Sequence, residues 1–251
     1  MKGRVNKFFD INKLPADEGI LVFPISMSRI TTAQNAEKCW EQISHFSPKK
    51  IIKPLVGVHF IYGDYLYFNS DEKASEIKKR MLTQMITHKN EFTKIVHNNP
   101  MYIEKAFSFT TWAQNYLDCK NFTSYFGQLR KMYHSDKKFQ KYLAQDAEAY
   151  KRDLNENQIR FFLDEILITH LMVKGEIPIR NEYVQNHEKW ILFCYPGRPL
   201  KSHIYLHQKN PFKLENPKNK YENSFYDLEQ KKLYDYTKVN IETLELDHKL
   251  T

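Results

Sequence analysis

Near its start the chain alternates two kinds of segment that few architectures accommodate. "GILVFPIS" (19–26) is a short apolar run rich in β-branched residues, the composition of a strand covered on both faces. "TTAQNAEKCWEQISHF" (31–46) follows, with Ala33, Ala36, Trp40 and Ile43 at helical spacing and Thr31 or Thr32 placed as a cap. A second apolar run, "LVGVHFIYGD" (55–64), ends in Asp64 and leads into a long basic helix over 70–98. That helix has Ser70 at its start, acids in its first turn and cations later, as the helix dipole favours. "KAFSFTTW" supplies a short third strand. Strand, helix, strand, helix predicts an α/β class built on a doubly wound, mainly parallel sheet flanked by helices.

The rest of the chain fits one such domain. Its 251 residues contain no Gly-rich or Pro/Ser-rich linker. Helical segments fill the middle, ending in "NENQIRFFLDEILITHLMV" (155–173), where Asn155 and Gln158 have capping-box spacing. "EKWILFCYPGRPL" (188–200) reads as a buried strand broken at Pro196-Gly197. The expected organisation is an N-terminal extension (1–18), one Rossmann-like α/β domain (19–205) and a polar, Tyr-rich tail (206–251) wrapping the surface. No apolar run approaches the ~20 residues a membrane span needs, and the N-terminus lacks the apolar core of a signal peptide. The three cysteines, Cys39, Cys119 and Cys194, form no C-x-x-C pair, which suits free thiols in a cytoplasmic protein and no zinc site. His203 and His207 are four apart, but in a strand-like stretch with no third ligand, and read as surface histidines. No metal is expected.

Three strand ends carry reactive side chains: Ser26, Asp64 and Tyr195. Ligands of open parallel sheets bind at the carboxyl ends of strands, so a shared edge would place Ser26 and Tyr195 in one crevice. Each alone reads equally well as a helix cap, turn or packing residue. Ser28 reads as a loop or cap hydroxyl. Glu165 is more telling. It lies on a helix row with Phe161, Ile168 and Met172, on a helix that is apolar nearly all round. A carboxylate there must pair, bind something or take up a proton. Arg160, Lys174 or a backbone donor would make it structural, and a raised pKa would suit proton transfer.

The net charge is +8, which suits an anionic partner such as nucleic acid or an anionic lipid, and also suits ordinary Lys-rich solubility. The cations gather at Lys78, Lys79 and Arg80 and again at Arg130, Lys131, Lys137, Lys138 and Lys141. If one helix ran through the second group, Arg130, Lys137 and Lys141 would form a ridge suited to a phosphate backbone. There is no G-x-G-x-x-G, P-loop or G-x-S-x-G motif.

In their order along the chain these residues resemble the tRNA-dependent cyclodipeptide synthases. Their Rossmann-like domain is similar to the catalytic domain of class I aminoacyl-tRNA synthetases. "FPIS" is similar to the motif of the family's nucleophilic serine, which implies that role for Ser26. "FFLDEIL" is similar to the Tyr-x-x-x-Glu helix motif, which implies a catalytic Glu165. "FCYPG" is similar to the strand-end Tyr-Pro pair, at Tyr195, and "IYGD" to a strand-end acid, at Asp64. Arg29, three after the serine, is not Asn, as in the XYP-type subfamily. Two positions depart from the pattern: Phe161 replaces the motif Tyr and so lacks its hydroxyl, and Pro24 replaces a Gly. Glu176 is an alternative place for the glutamate, at a helix end. The resemblance implies that Ser26 accepts an aminoacyl group from one aminoacyl-tRNA and a second aminoacyl-tRNA extends it. Ring closure then gives a 2,5-diketopiperazine without ATP or any other cofactor. Val22, Pro24, Phe193 and Ile168 would line the side-chain pocket, with Arg29, Asp64 and Phe161 beside them. The basic helices would hold two tRNAs as substrates, and a monomer is expected. A different aminoacyl-tRNA-dependent transferase and a non-catalytic RNA-binding module are the competing readings.

Overall fold

The computed structural model describes residues 19–44, 56–64, 74–99, 106–181, 190–196 and 199–244. The expected N-terminal extension, the Ser70 cap and Gly197 lie outside them. The strands are β1 (Gly19–Ile25), β2 (Val56–Tyr62), β3 (Phe107–Thr111), β4 (Trp190–Tyr195), β5 (Ser224–Asp227) and β6 (Lys232–Asp235). They form one sheet in the order β3-β2-β1-β4-β5-β6. All pairs are parallel except β5 with β6. The order runs outward from β1 in both directions, so the crevice between β1 and β4 is the topological switch point where such sheets bind ligands. Gly19 lies opposite Trp190. A Cβ there would sit 1.9 Å from the indole, so only glycine lets this fully buried ring lie against the central strand.

The described helices are α1 (Ala36–Ser44), α2 (Ala74–His97), α3 (Trp112–Asp118), α4 (Phe122–Ser135), α5 (Lys137–Ala149), α6 (Glu156–Val173) and α7 (Lys201–Lys209). Alternation along β1 divides the core into two layers. Leu21, Phe23 and Ile25 pack with Cys39 and Ile43 of α1 and Ile77, Met81 and Phe92 of α2. Ile20 and Val22 face the other way, toward residues of α3 to α7. The α/β class, the mainly parallel sheet and its flanking helices are therefore as expected. No described helix is long and apolar enough to cross a membrane.

Four local expectations are corrected. The first helix begins at Ala36, not at Thr31, because Asn35 accepts the Lys38 N–H (2.9 Å) and Ala33 is left exposed in the preceding turns. The basic ridge has no continuous helix beneath it. Asp136 ends α4 and caps α5 by accepting the Lys138 and Phe139 N–H groups (2.9 and 3.2 Å). The expected surface tail instead completes the sheet, with Phe225, Tyr226 and Asp227 in β5 buried against β4.

His203 and His207 are helical and buried. Asp146 accepts the Lys201 and Ser202 N–H groups (both 2.8 Å) and the Ser202 hydroxyl (2.6 Å), which fixes the start of α7. Four-residue spacing then puts both imidazoles on its inner face, 3.0 Å apart at Nε2, with His207 stacked on Tyr236. Burial holds His203 down at about 3, so the pair packs uncharged.

Candidate active site

Ser26 follows the last residue of β1, and its position is set by a clamp. The Ser26 N–H donates to the Gln34 side-chain oxygen, and Gln34 Nε2 donates to the Pro24 carbonyl (both 2.9 Å). The Arg29 N–H donates to the Ser26 carbonyl (3.0 Å), while the Arg29 carbonyl accepts the Thr32 and Gln34 N–H groups (both 2.9 Å). Buried Gln34 thus ties both sides of the serine to one loop. Ser28 does not simply decorate that loop: its hydroxyl meets that of Ser26 at 2.9 Å. Because the Gln34 side chain fixes the backbone around Ser26, Gln34→Ala is expected to lower turnover by about tenfold to a hundredfold. Steady-state kinetics on the folded variant would check this.

Glu165 comes from the middle of α6. The pairings that would make it structural are taken by other carboxylates: Arg160 pairs with Asp164 (3.6 Å) and Lys174 with Glu222 (3.1 Å). Among the described residues the Glu165 carboxyl makes no hydrogen bond or ion pair. Burial pushes it up to about 7; Arg152 opposes that shift, Asp146 adds to it and Arg29 opposes it. It is therefore poised to exchange a proton at neutral pH.

Tyr195 ends β4, the strand beside β1. Its hydroxyl donates to Thr169 Oγ1 (3.3 Å), and Thr169 donates to the Glu165 carbonyl (3.0 Å). That chain ties the phenol to the helix of Glu165 and leaves its oxygen lone pairs free to accept. Burial drives the phenol pKa well up, so it stays protonated.

Ser26, Glu165 and Tyr195 line one cavity of about 230 Å³, together with Pro24, Arg29, Phe161 and residues not expected there, among them Ser28, Gln34, Trp112, Tyr150 and Arg152. Other expected wall residues lie elsewhere. Val22, Ile168 and Phe193 are buried in the core, where alternation and helix spacing point them inward. Phe193 backs the site only by stacking on Tyr195. Asp64 is buried and accepts the Ala113 N–H (3.3 Å) at the start of α3. Glu176 accepts from Tyr125 (2.9 Å) and does not line the cavity.

Arg152 is placed by a helix-end motif. Lys151, at φ 53, reverses the chain after α5. The Lys151 N–H then reaches the Glu148 carbonyl and the Arg152 N–H the Ala147 carbonyl (both 2.9 Å), the two bonds of a Schellman turn. Arg152 donates to Gln158 (3.0 Å) and lies over the Phe161 ring, 4.3 Å from its centroid. Asn155 caps α6 as expected, by accepting the Gln158 N–H (3.0 Å). The Gln158 side chain, however, serves Arg152 and does not close a capping box.

The basic residues divide between the two layers. Lys78, Lys79 and Arg80 are exposed on α2, on one side of the sheet. Arg130, Lys131, Lys137, Lys138 and Lys141 are exposed on α4 and α5, on the other. Arg130 pairs with Glu156 (3.5 Å) and Lys141 with Glu242 (2.8 Å).

No protein-family model and no curated protein matches the chain. Solved structures do. A CDPS (cyclodipeptide synthase) from Fluoribacter dumoffii is similar with a TM-score of 0.53 at 12% identity, over 76% of this chain and 82% of that one. A CDPS from Staphylococcus haemolyticus gives 0.52 at 11%, over 80% and 88%. A cyclodipeptide synthase from Bacillus thermoamylovorans gives 0.51 at 13%, over 80% and 86%. The chain shares the fold of these solved cyclodipeptide synthases.

Proposed function

We propose that the protein is a cyclodipeptide synthase that joins the aminoacyl groups of two aminoacyl-tRNAs into a 2,5-diketopiperazine. The observation that carries this reading is the meeting of Ser26, Glu165 and Tyr195, from three distant segments, in one cavity, on a fold shared with solved cyclodipeptide synthases.

In this reading the Ser26 oxygen attacks the ester carbonyl of the first aminoacyl-tRNA. A seryl ester forms, the bond to the terminal ribose breaks, and the ribose hydroxyl leaves with the serine proton. Glu165, as carboxylate, takes a proton from the bound ammonium and frees the amine. That amine attacks the ester of the second aminoacyl-tRNA, releasing its tRNA and leaving a dipeptide on Ser26. The terminal amine of the dipeptide then attacks the seryl ester, closes the ring and returns a proton to Ser26. Tyr195, its own proton engaged by Thr169, accepts a hydrogen bond from the substrate and orients it. Because the ester arrives already activated, no ATP step is needed. Arg29 in place of Asn, with Tyr195-Pro196, fits the XYP-type subfamily. The protein is proposed to work in the cytoplasm, where charged tRNA is found, as a monomer whose catalytic domain includes β5 and β6.

Extraction of small molecules from cells expressing the protein tests the reading. Mass spectrometry should find a cyclic dipeptide that disappears with Ser26→Ala. A transferred aminoacyl group on another acceptor, with no cyclic dipeptide, would point to a different transferase.

Exposed Lys137 and Lys138, without ion pairs among the described residues, are proposed to contact tRNA phosphates. Lys137→Glu/Lys138→Glu should raise KM for aminoacyl-tRNA by about tenfold or more at low salt, with less difference at high salt. The same reversal at Lys78/Lys79, in the opposite layer, shows whether the tRNA also reaches that side.

A further inference from the structure

Two arginines in the cavity have no role in the mechanism above. Arg29 and Arg152 are both partly buried, and both line the cavity with Ser26 and Glu165. Neither forms an ion pair among the described residues. Each is held in place by neutral groups. The Arg29 backbone is locked by its bonds to Ser26, Thr32 and Gln34. Arg152 is anchored by the Schellman turn, the Phe161 ring and the Gln158 side-chain oxygen. A guanidinium carries five donors, so most of those on Arg152 are left for a ligand.

The charge balance points the same way. Two guanidiniums face one carboxyl, Glu165, which titrates near neutrality. The acid behind it, Asp146, spends its oxygens on the start of α7. Among the residues that line the cavity the balance of charge is therefore positive at pH 7 whichever state Glu165 adopts. Guanidiniums that are fixed and sheltered from water bind carboxylate or phosphate by short charge-assisted bonds.

We propose that Arg29 and Arg152 form an anion subsite beside Ser26 that takes an oxyanion of the substrate. Building on the function proposed above, that oxyanion is either the side-chain carboxylate of an acidic aminoacyl group or a phosphate next to the terminal nucleotide of the tRNA. A carboxylate would make the protein selective for Asp or Glu as one of the joined residues. A phosphate would make the pair a clamp on the tRNA end, indifferent to the amino acid.

Binding of small probes separates this proposal from the catalytic one, because it needs no turnover. The intact protein would be titrated by NMR with four probes: glutamate, glutamine, adenosine monophosphate and adenosine. Glutamate binding about tenfold or more tighter than glutamine assigns the carboxylate. The same margin for adenosine monophosphate over adenosine assigns the phosphate. Either preference should collapse in Arg152→Gln and Arg29→Gln and be partly kept in Arg152→Lys, which retains the charge. The subsite is overturned if neither anion binds more tightly than its neutral counterpart, or if the preference survives in the Arg29→Gln/Arg152→Gln double variant. Anion binding without any cyclic dipeptide would instead overturn the proposed function and leave the subsite standing.

Discussion

Ser26→Ala is expected to reduce cyclic dipeptide formation by about a thousandfold or more while leaving the fold unchanged. The serine hydroxyl meets the Ser28 hydroxyl at 2.9 Å within its own loop. The clamp that shapes the loop uses the Ser26 backbone N–H and carbonyl, which alanine retains. Thermal unfolding should therefore match the parent protein, and tRNA affinity should persist, because the proposed phosphate contacts lie on α5. Ser28→Ala is the internal control. If Ser28 were the nucleophile, the two variants would exchange behaviours. Product formation by Ser26→Ala at a tenth of the parent rate would remove the serine from the chemistry.

Glu165→Gln is expected to cost about a hundredfold to ten-thousandfold in turnover and to change two pH profiles. In the parent protein the rate should rise through about pH 7 as the carboxylate forms; glutamine should flatten that limb. Stability changes in the opposite sense. A carboxyl raised from 4.5 to about 7 holds its proton more tightly in the folded than in the unfolded state. The parent therefore loses stability as pH rises from about 4.5 to about 7 and is level above that. Glutamine carries no such penalty, so the melting temperature of Glu165→Gln relative to the parent should increase from pH 5 to pH 8. Each kcal/mol corresponds to roughly 2–4 °C for a chain of this size. An unchanged difference across that range would mean that Glu165 titrates normally.

The parts of the site legible in the sequence are those fixed by short-range pattern. Ser26 and Tyr195 end apolar runs, and such runs become neighbouring parallel strands. Glu165 interrupts an apolar helix, and the cost of burying a charge singles it out. What the pattern missed depends on distant partners. α7 starts where it does because Asp146, 55 positions away from Lys201, supplies the acceptors, so a stretch that reads as extended is helical. β5 and β6 are only four residues each, "SFYD" and "KLYD". They exist as strands because β4 offers an open edge. Arg152 was hidden for a related reason. Its direction is set by a left-handed turn at Lys151, a position where glycine usually marks such a reversal. The expected pocket wall failed at Val22, Ile168 and Phe193 because closeness in sequence to Ser26, Glu165 and Tyr195 says nothing about which face each side chain takes.

Intact-protein mass spectrometry after rapid mixing with a single aminoacyl-tRNA tests the central claim most directly. The account predicts a mass increase of one aminoacyl residue on the parent protein, mapped by proteolysis to the peptide containing Ser26, lost with Ser26→Ala and discharged as cyclic dipeptide on further incubation. A cyclic dipeptide formed with no covalent species at any time, or an adduct that persists in Ser26→Ala, would contradict it.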